Sequence, residues 1–389
     1  MEEHGSQSSV ALTSGSWSPS RVPDANQAQP HLITEEPTPR SSKRLAPDDF
    51  TSDHERLLHP SHRENAELVA EHYNQRPEVG KLKRKDSPII GLKNFNNWIK
   101  AVMIAKFARP PIEETNSKPP PFVSVSQRKQ PKHLGRVLDV GCGKGGDLGK
   151  WAKANIALFV GVDIAGVSIE QARTRWRDQK RKQFQAEFFE LDCYSHPLAD
   201  VVPAPLLTAF DVVSMQFCMH YAFENEEKVR MMLKNATDHL RPGGVFIGTI
   251  PNAKYLLKRL KKLGDKEEEL SFGNEVYQIR FESRHPPAKG AHPYGHKYNF
   301  YLKDAVDAPE YVVQWDPFVA LAKDYGLELD YKKEFHDIYQ SEQESPEFAA
   351  MLQTMNVVDS KGESFLDNDQ WEAANIYIGF VFKKVAPTE

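Results

Sequence analysis

The stretch Val137–Leu148, VLDVGCGKGGDL, decides how the chain is read. Val137, Leu138 and Val140 are strand formers. Gly141, Gly143 and Gly146 follow with the G-x-G-x-x-G spacing, which lets a backbone turn sharply and lie against a ligand. The stretch therefore predicts a buried strand, a glycine turn and a helix. The spacing alone fits a dinucleotide site as well as other nucleoside sites, and it also fits a purely structural turn. Asp139 discriminates, because a carboxylate two residues before the first glycine, with Asp147 just after the turn, repels a pyrophosphate. Such a site suits a ligand carrying positive charge, such as the ammonium of S-adenosylmethionine. Asp163 lies 22 residues after Gly141, at the end of the next apolar run, LFVGVD. A carboxylate at the tip of the second strand accepts hydrogen bonds from ribose hydroxyls.

Outward from this turn, strands and helices alternate. A helix is expected over about 145–154, a strand over 157–162, a helix over 167–182 and a strand ending near Leu191 and Asp192. FDVVSMQF, 210–217, follows as a buried strand, then a helix over about 224–240 and the strand VFIGTI, 245–250. This rhythm indicates a parallel sheet covered on both faces. From 271 the rhythm changes: SFGNEVYQIRF and HKYNFYL alternate like antiparallel strands and predict an inserted β-rich sub-domain at about 265–310. DPFVALAKDYG, 316–326, reads as a helix stopped by Gly326, and LELDYKKEFH and NIYIGFVFKK as a terminal pair of strands. Loops at the ends of open α/β strands bind ligands, which makes positions 192, 216 and 221 candidates.

The N-terminal third reads differently. Residues 1–60 are rich in Ser, Pro, Gln and charge, and cannot bury enough apolar surface to offset their ordering entropy. A disordered tail is expected there, and Ser18-Pro19 and Thr38-Pro39 are dipeptides common in such tails. Residues 61–90 read as a linker. It carries a weakly helical docking segment, ENAELVAEHYNQR at 64–76, with Leu68, Val69, His72 and Tyr73 on one face. It also carries the basic run KLKRK at 81–85, which suits nuclear import, RNA phosphate or a solvated linker alike. GLKNFNNWIKAVMIAKF, within 91–108, is an amphipathic helix with Leu92, Phe95, Ile99, Val102 and Met103 as its apolar stripe. Asn96 and Lys100 share another face, which by pattern alone is ordinary surface. Residues 109–135 are Pro-rich and read as an irregular loop.

Composition sets limits. The chain has 389 residues, a net charge of -4 and 40% hydrophobic residues, with a mean hydropathy of -0.58. Any contact with RNA must be local, because the molecule as a whole is not basic. Cys142, Cys193 and Cys218 are too few and too scattered for a zinc site or a disulfide framework, so no metal is expected and Cys142 reads as a small packing residue. The start MEEHGSQSSV has no signal-peptide pattern, and no apolar run reaches the ~20 residues that span a bilayer, so no membrane partner is expected.

Specific segments carry a resemblance. FNNWIK at 95–100, the glycine stretch, VGVDIAGVSIEQARTRW at 160–176, QFCMHYAFE at 216–224 and PGGVFIGTIPN at 242–252 resemble the eukaryotic, fungal-like mRNA cap guanine-N7 methyltransferases. So do FGNEVY at 272–277, VDAPEYVV at 306–313 and NIYIGFVF at 375–382. The resemblance runs from about Leu68 to the C-terminus and omits the Pro-rich stretch at 110–133. It implies a Rossmann-like α/β fold of the class I S-adenosylmethionine-dependent methyltransferases, spanning 91–389, with a mostly parallel sheet, the terminal antiparallel pair and the inserted sub-domain.

By the same resemblance, Lys100, Gly141, Asp163, Asp192, Gln216 and Tyr221 line the S-adenosylmethionine pocket, to which Asp139 and Gly143 belong by their place at the turn. Asn96, Asn97, Lys144, Lys150, Arg175, His220, Glu310 and Tyr377 face the cap. Asp163 would bind the ribose, Asp192 the adenine edge and Lys100 the methionine carboxylate, and Asp139 would sit near the ammonium. Lys144, Lys150 and Arg175 would pair with the triphosphate. No general base is required, since guanine N7 attacks with a lone pair. Orientation by Glu310, His220 and Tyr221 would carry the reaction, although a His-Tyr pair after a strand is also a common core feature. The resemblance further implies the capped 5′ end of RNA as substrate, the nucleus as location, and the capping guanylyltransferase or transcribing RNA polymerase as partners. Two other readings stay open at this stage: a cap-binding module without catalysis, and a methyltransferase of the same fold acting on another substrate.

Overall fold

A computed structural model of the chain describes residues 65–75, 84–118, 134–179, 183–264, 269–286 and 293–386. The Ser/Pro-rich tail at 1–60, most of the KLKRK run and the far part of the Pro-rich stretch lie outside the described residues.

The core is a seven-stranded sheet. Its strands are β1 (Gly135–Val140), β2 (Ile156–Asp163), β3 (Gln185–Glu190), β4 (Phe210–Gln216), β5 (Leu240–Pro251), β10 (Leu327–Glu334) and β11 (Tyr377–Lys384), in the spatial order β10-β11-β5-β4-β1-β2-β3. β1 to β5 run parallel, while β11 is antiparallel to both β5 and β10. Strands β1, β2 and β4 are near-continuous apolar runs because helices cover both faces. Strand order reverses between β1 and β4, and the carboxyl ends of the strands on either side form the crevice in which such sheets bind ligands. The expected strand at 245–250 begins earlier, at Leu240. Arg241-Pro242-Gly243-Gly244, directly after the helix expected over about 224–240, enters the sheet through a register shift opposite Phe210 and Val212.

A second sheet holds β6 (Ser271–Gly273), β7 (Tyr277–Phe281), β8 (Lys297–Leu302) and β9 (Val306–Tyr311), antiparallel in chain order. Its strands alternate as the sequence suggests. Tyr277, Ile279, Phe281, Tyr298, Phe300 and Glu310 face inward, and Gln278, Arg280, Asn299 and Tyr301 face solvent.

Ahead of β1, helix α1 (Asn65–Gln75) packs on the main unit, and α2 (Ile90–Met103) is the amphipathic helix. Leu92, Phe95, Ile99, Val102 and Met103 are buried, and so is Trp98, whose indole donates to the Phe348 carbonyl at 3.0 Å. The irregular loop expected from 109 is overturned at its start. α2 runs through one π-helical turn (Ile104–Ala108) into α3 (Arg109–Ser117). Pro110 and Pro111 stand in the first turn of α3, directly after the π turn, where the regular hydrogen-bond ladder is already interrupted. The helix stops at Ser117, two residues before Pro119, as the restriction on residues preceding proline requires.

Asp211 on β4 fixes α3 to the sheet. Its carboxylate, 1% exposed, accepts from Arg241 Nε at 2.7 Å, from the Arg136 backbone N–H at 2.8 Å and from the Thr115 hydroxyl. Arg241 also donates to the Pro111 carbonyl at 2.9 Å. Asp211→Ala removes the anion and leaves Arg241 Nε and the Arg136 backbone N–H without this acceptor, while Arg241 keeps Glu114 at 3.2 Å and the Pro111 carbonyl. Breaking one side of such a buried pair costs about 3–5 kcal/mol, so urea unfolding of this variant is expected to show a loss of that size with the m-value unchanged. A loss under about 1 kcal/mol, the value of an exposed pair, contradicts this placement of Asp211.

Candidate active site

The glycine turn closes directly on β2. Gly141 and Cys142 donate their backbone N–H groups to the Val162 carbonyl, and Gly141 has φ +69. A Cβ on Gly141 would lie 2.6 Å from Cys218 Sγ, so the turn approaches β4's end too closely for any side chain. Gly143 and Gly145 also have positive φ. The third left-handed residue is thus Gly145 and not Gly146, the third glycine of the spacing. Asp163 sits at the tip of β2. Its two oxygens accept the N–H of Gly143 at 2.8 Å and of Ala165 at 2.9 Å, the latter just before α5 (Gly166–Arg177). Burial raises its pKa and these two N–H groups counter the rise. Each carboxylate oxygen retains a lone pair for a further donor.

A cavity of about 200 Å³ opens at the carboxyl ends of β1 to β4. Gly141, Gly143, Asp163, Asp192, Gln216 and Tyr221 line it, together with apolar walls from Val140, Val162, Leu191 and Phe217. Asp192 is held by the Tyr194 N–H at 2.9 Å and the Ser195 hydroxyl at 2.7 Å. Gln216 donates to Ser214 and accepts from Thr249. α1 contributes Asn65, Val69 and Tyr73 to the cavity, and β9 contributes Pro309 and Tyr311. The donor set fits S-adenosylmethionine: carboxylates for a ribose and an adenine edge, apolar walls for a purine, and glycines where the ligand lies on the backbone.

Lys100 and Asp139 stand beside this lining, not in it. Their charges reach Cys218, which does line it. Lys100 on α2 pairs with Asp147 Oδ2 at 2.8 Å, and Lys150 on α4 (Leu148–Lys153) pairs with Oδ1 at 2.6 Å while donating to Asn97. Asp147 therefore points into the protein. Burial alone would raise its pKa, but the two ammonium groups outweigh burial and hold it below the usual carboxylate range. Asp139, 3% exposed, lies near the same charges. Burial and the anion of Asp147 push its pKa up to about 7, against opposing help from Ser214 and Lys100.

A second cluster surrounds Glu310 on β9, which is 3% exposed. Tyr298, its cross-strand partner on β8, donates to Oε2 at 2.8 Å, and Tyr221 donates to Oε1 at 3.4 Å. His220 Nε2 stands 3.2 Å from Oε1 but off the geometry of a hydrogen bond, and both its ring nitrogens are buried without a hydrogen-bond partner. Tyr73 of α1 reaches Tyr221, hydroxyl to hydroxyl, at 3.3 Å. Tyr377 is buried at the start of β11, edge-on to Phe217 with ring centroids 5.0 Å apart, its hydroxyl within reach of the charge of Glu310. Burial first, then Glu310, raises the pKa of Tyr298 well above the usual value, so it stays a neutral donor. Asn96 Oδ1 is likewise buried without a partner. Lys144 lies half-buried in the glycine turn and Arg175 exposed in the last turn of α5, neither of them lining the cavity. Tyr73 and Tyr298 are additions to the residues picked from sequence. Tyr298 was signalled only by alternation in HKYNFYL, and Tyr73 only by its place on the apolar face of α1.

A family profile described as the mRNA (guanine-N(7))-methyltransferase domain matches residues 56–385. The chain belongs to this family. An mRNA cap guanine-N(7) methyltransferase of Cryptococcus neoformans var. neoformans serotype D (strain JEC21) is 50% identical over 358 residues, covering 89% of this chain and 53% of the relative. That of Schizosaccharomyces pombe is 46% identical and covers 82% of each chain. The mRNA cap guanine-N(7) methyltransferase 1 of Arabidopsis thaliana is 39% identical, covering 82% of this chain and 81% of the relative. The chain spans about half the length of the two Cryptococcus relatives, 53% of one and 47% of the other. The guanine-N(7)-methyltransferase domain thus holds both clusters, the cavity at the glycine turn and the polar group around Glu310, within its matched residues.

The split between the two buried aspartates has a pH signature. Asp139 is protonated in the fold up to about pH 7, whereas its unfolded value is 3.8. Between these values the unfolded chain gives up a proton that the folded chain keeps, so this group's contribution to stability falls as pH rises through that window. Asp139→Asn removes it. The stability of the wild type minus that of the variant is expected to decline from pH 3.8 to about 7 and then level off. A difference that is flat across the window, by denaturant titration at several pH values, contradicts the raised value.

Proposed function

We propose that the chain transfers a methyl group from S-adenosylmethionine to N7 of the guanine cap at the 5′ end of mRNA. The observation that carries this reading is the buried Glu310 beside an unpartnered His220, next to a cavity suited to the methyl donor. Buried polar groups are almost always satisfied, and leaving one unpaired costs free energy. His220 and Asn96 are among the exceptions, and a polar substrate would satisfy them.

When bound, S-adenosylmethionine supplies a sulfonium methyl already activated for attack. Asp163 would accept from the ribose hydroxyls while its N–H partners keep it aimed. Asp192 would take the adenine edge. Lys100 reaches the site through Asp147, so its charge would act on the methionine end of the donor while it also joins α2 to the turn. Asp139, neutral below about pH 7, would meet the ammonium as an acceptor and become an ion pair with it as it loses its proton. Glu310 would accept from guanine N1–H and the exocyclic amine side by side, a pair of donors that adenine lacks. Tyr221, Tyr298 and Tyr377 would keep that carboxylate in place, with His220 against the base. Asn96, Asn97, Lys144, Lys150 and Arg175 would serve the triphosphate and ribose side of the cap.

N7 carries no proton, so attack needs orientation and not a base. The purine gains positive charge as the methyl arrives, and a carboxylate fixed nearby stabilises that charge more in the transition state than in the ground state. The same reading assigns the chain to the nucleus, with the capping guanylyltransferase or the transcribing polymerase as neighbours. Among the described residues no helix is long and apolar enough to cross a membrane.

The test is methyl transfer from labelled S-adenosylmethionine to GpppN-ended RNA, with uncapped and ApppN-ended RNA as controls. Incorporation on GpppN alone is expected. Equal incorporation on all three, or none on GpppN, overturns the reading. Glu310→Gln turns one acceptor into a donor facing N–H and removes the charge. Its kcat is expected to fall by roughly 10²-fold, the size seen for one preorganised electrostatic group, with cofactor affinity held. A near-normal kcat would remove Glu310 from both roles.

A further inference from the structure

After α6 (Glu226–Thr237) and β5 comes helix α7 (Ala253–Lys262), AKYLLKRLKK, which carries five cations and no acid in ten residues. Lys254, Lys258, Lys261 and Lys262 are exposed and share one face, opposite the buried Leu256 and Leu260. Arg259 lies on the flank and pairs with Glu372. Among the described residues, none of the four lysines is joined to a carboxylate by an ion pair.

This arrangement is unfavourable for the helix. Like charges at i and i+4, here Lys254 with Lys258 and Lys258 with Lys262, oppose helix formation. Lys254 is in the first turn, where the macrodipole favours anions. A solvated face has no need of one sign of charge, least of all in a chain whose net charge is -4. Lys332 of β10 lies over the Trp315 ring at 4.5 Å; burial lowers its pKa, Asp316 and Glu334 oppose that lowering, and the nearby charge of Lys254 adds to it last.

The helix also starts near the site. Phe217 lines the cavity and packs edge-on to Tyr377, which pairs across the sheet with Pro251 at the end of β5. The next residue, Asn252, caps α7 by accepting the Lys254 N–H at 3.1 Å. Along the axis, Lys254, Lys258 and Lys262 are spaced by about 6 Å, four residues at the helical rise. Cations in a row, without base-reading groups among them, suit successive phosphates of a single strand and carry no sequence information.

We propose that the lysine face of α7 binds the phosphates of the RNA strand leading away from the cap. This rests on the reading of the chain as a cap methyltransferase and adds a second, sequence-independent RNA site to it. The face adds affinity for longer transcripts and takes no part in the chemistry at N7.

The experiment compares two substrates, the dinucleotide GpppG and a capped RNA of about twenty nucleotides, with the wild type and with Lys254/Lys258/Lys261/Lys262→Gln. On GpppG the two proteins are expected to have equal kcat and KM. On the long RNA the variant's KM is expected to rise about tenfold or more at low salt, with kcat kept. Its plot of log affinity against log salt is expected to be shallower by up to about 3, four phosphate contacts at roughly 0.7 each. The corresponding Lys→Arg variant restores the long-RNA KM if charge and not shape is responsible. An unchanged KM and salt slope on long RNA overturn the proposal, as does an equal loss on GpppG, which would indicate a folding defect. Filter binding of the same long RNA reads this face without turnover. A wild type inactive on GpppG but showing the lysine-dependent binding therefore fails the cap reading alone.

Discussion

Asp147 is the carboxylate on which the arrangement of the site depends. It is buried at the end of the glycine turn and holds two lysines, one on α2 and one on α4. Neither lysine belongs to the strand that precedes the turn. The anion thus joins the helix carrying Asn96 and Asn97 to the loop carrying Gly141 and Gly143, with Lys150 extending the bond to Asn97. Taking three charges out of water is costly, and such pairs are weak sources of stability by themselves. What this one provides is relative placement, which matters most where the chemistry consists of holding two ligands in line. The Asp147 anion also adds to burial, the larger cause, in raising the pKa of Asp139.

The second sheet and α1 complete the site from the other side. β9 brings Glu310 under Tyr298 and places Pro309 and Tyr311 at the cavity, so the two clusters share one strand. α1 does the same across Tyr73 and Tyr221, and is tied down by the bond of Asn65 to Glu224 at 2.6 Å and of the Val167 N–H to Asn74 at 3.0 Å. A donor in the cavity and a base against Glu310 would therefore contact the same few side chains. That is the basis for attributing catalysis to orientation and to charge placed where it develops.

The parallel sheet was legible because its strands are buried on both faces and separated by helices of ordinary length. LFVGVD and FDVVSMQF admit few other readings. The spacing from Gly141 to Asp163 was legible too, since it depends only on the length of one strand–turn–helix unit. α3 was not, because Pro110 and Pro111 break a helix in its interior but suit its first turn, and sequence does not state where a turn begins. The partners of Lys100 and Lys150 were not legible either. Both read as solvated or ligand-facing charges until the fold brought Asp147 between them. The same holds for Tyr298, whose role follows from facing Glu310 in register across β8 and β9, and for Asp211, whose three donors come from α3, β1 and β5.

If orientation carries the reaction and no group has to remove a proton, the chemical step is insensitive to pH where the site's charges are constant. The single-turnover rate on GpppN-ended RNA, with enzyme and S-adenosylmethionine in excess, measures this step apart from binding and release. Between about pH 7.5 and pH 8.5 it is expected to be level. A rate that rises tenfold per pH unit across that interval would reveal a general base and contradict the account.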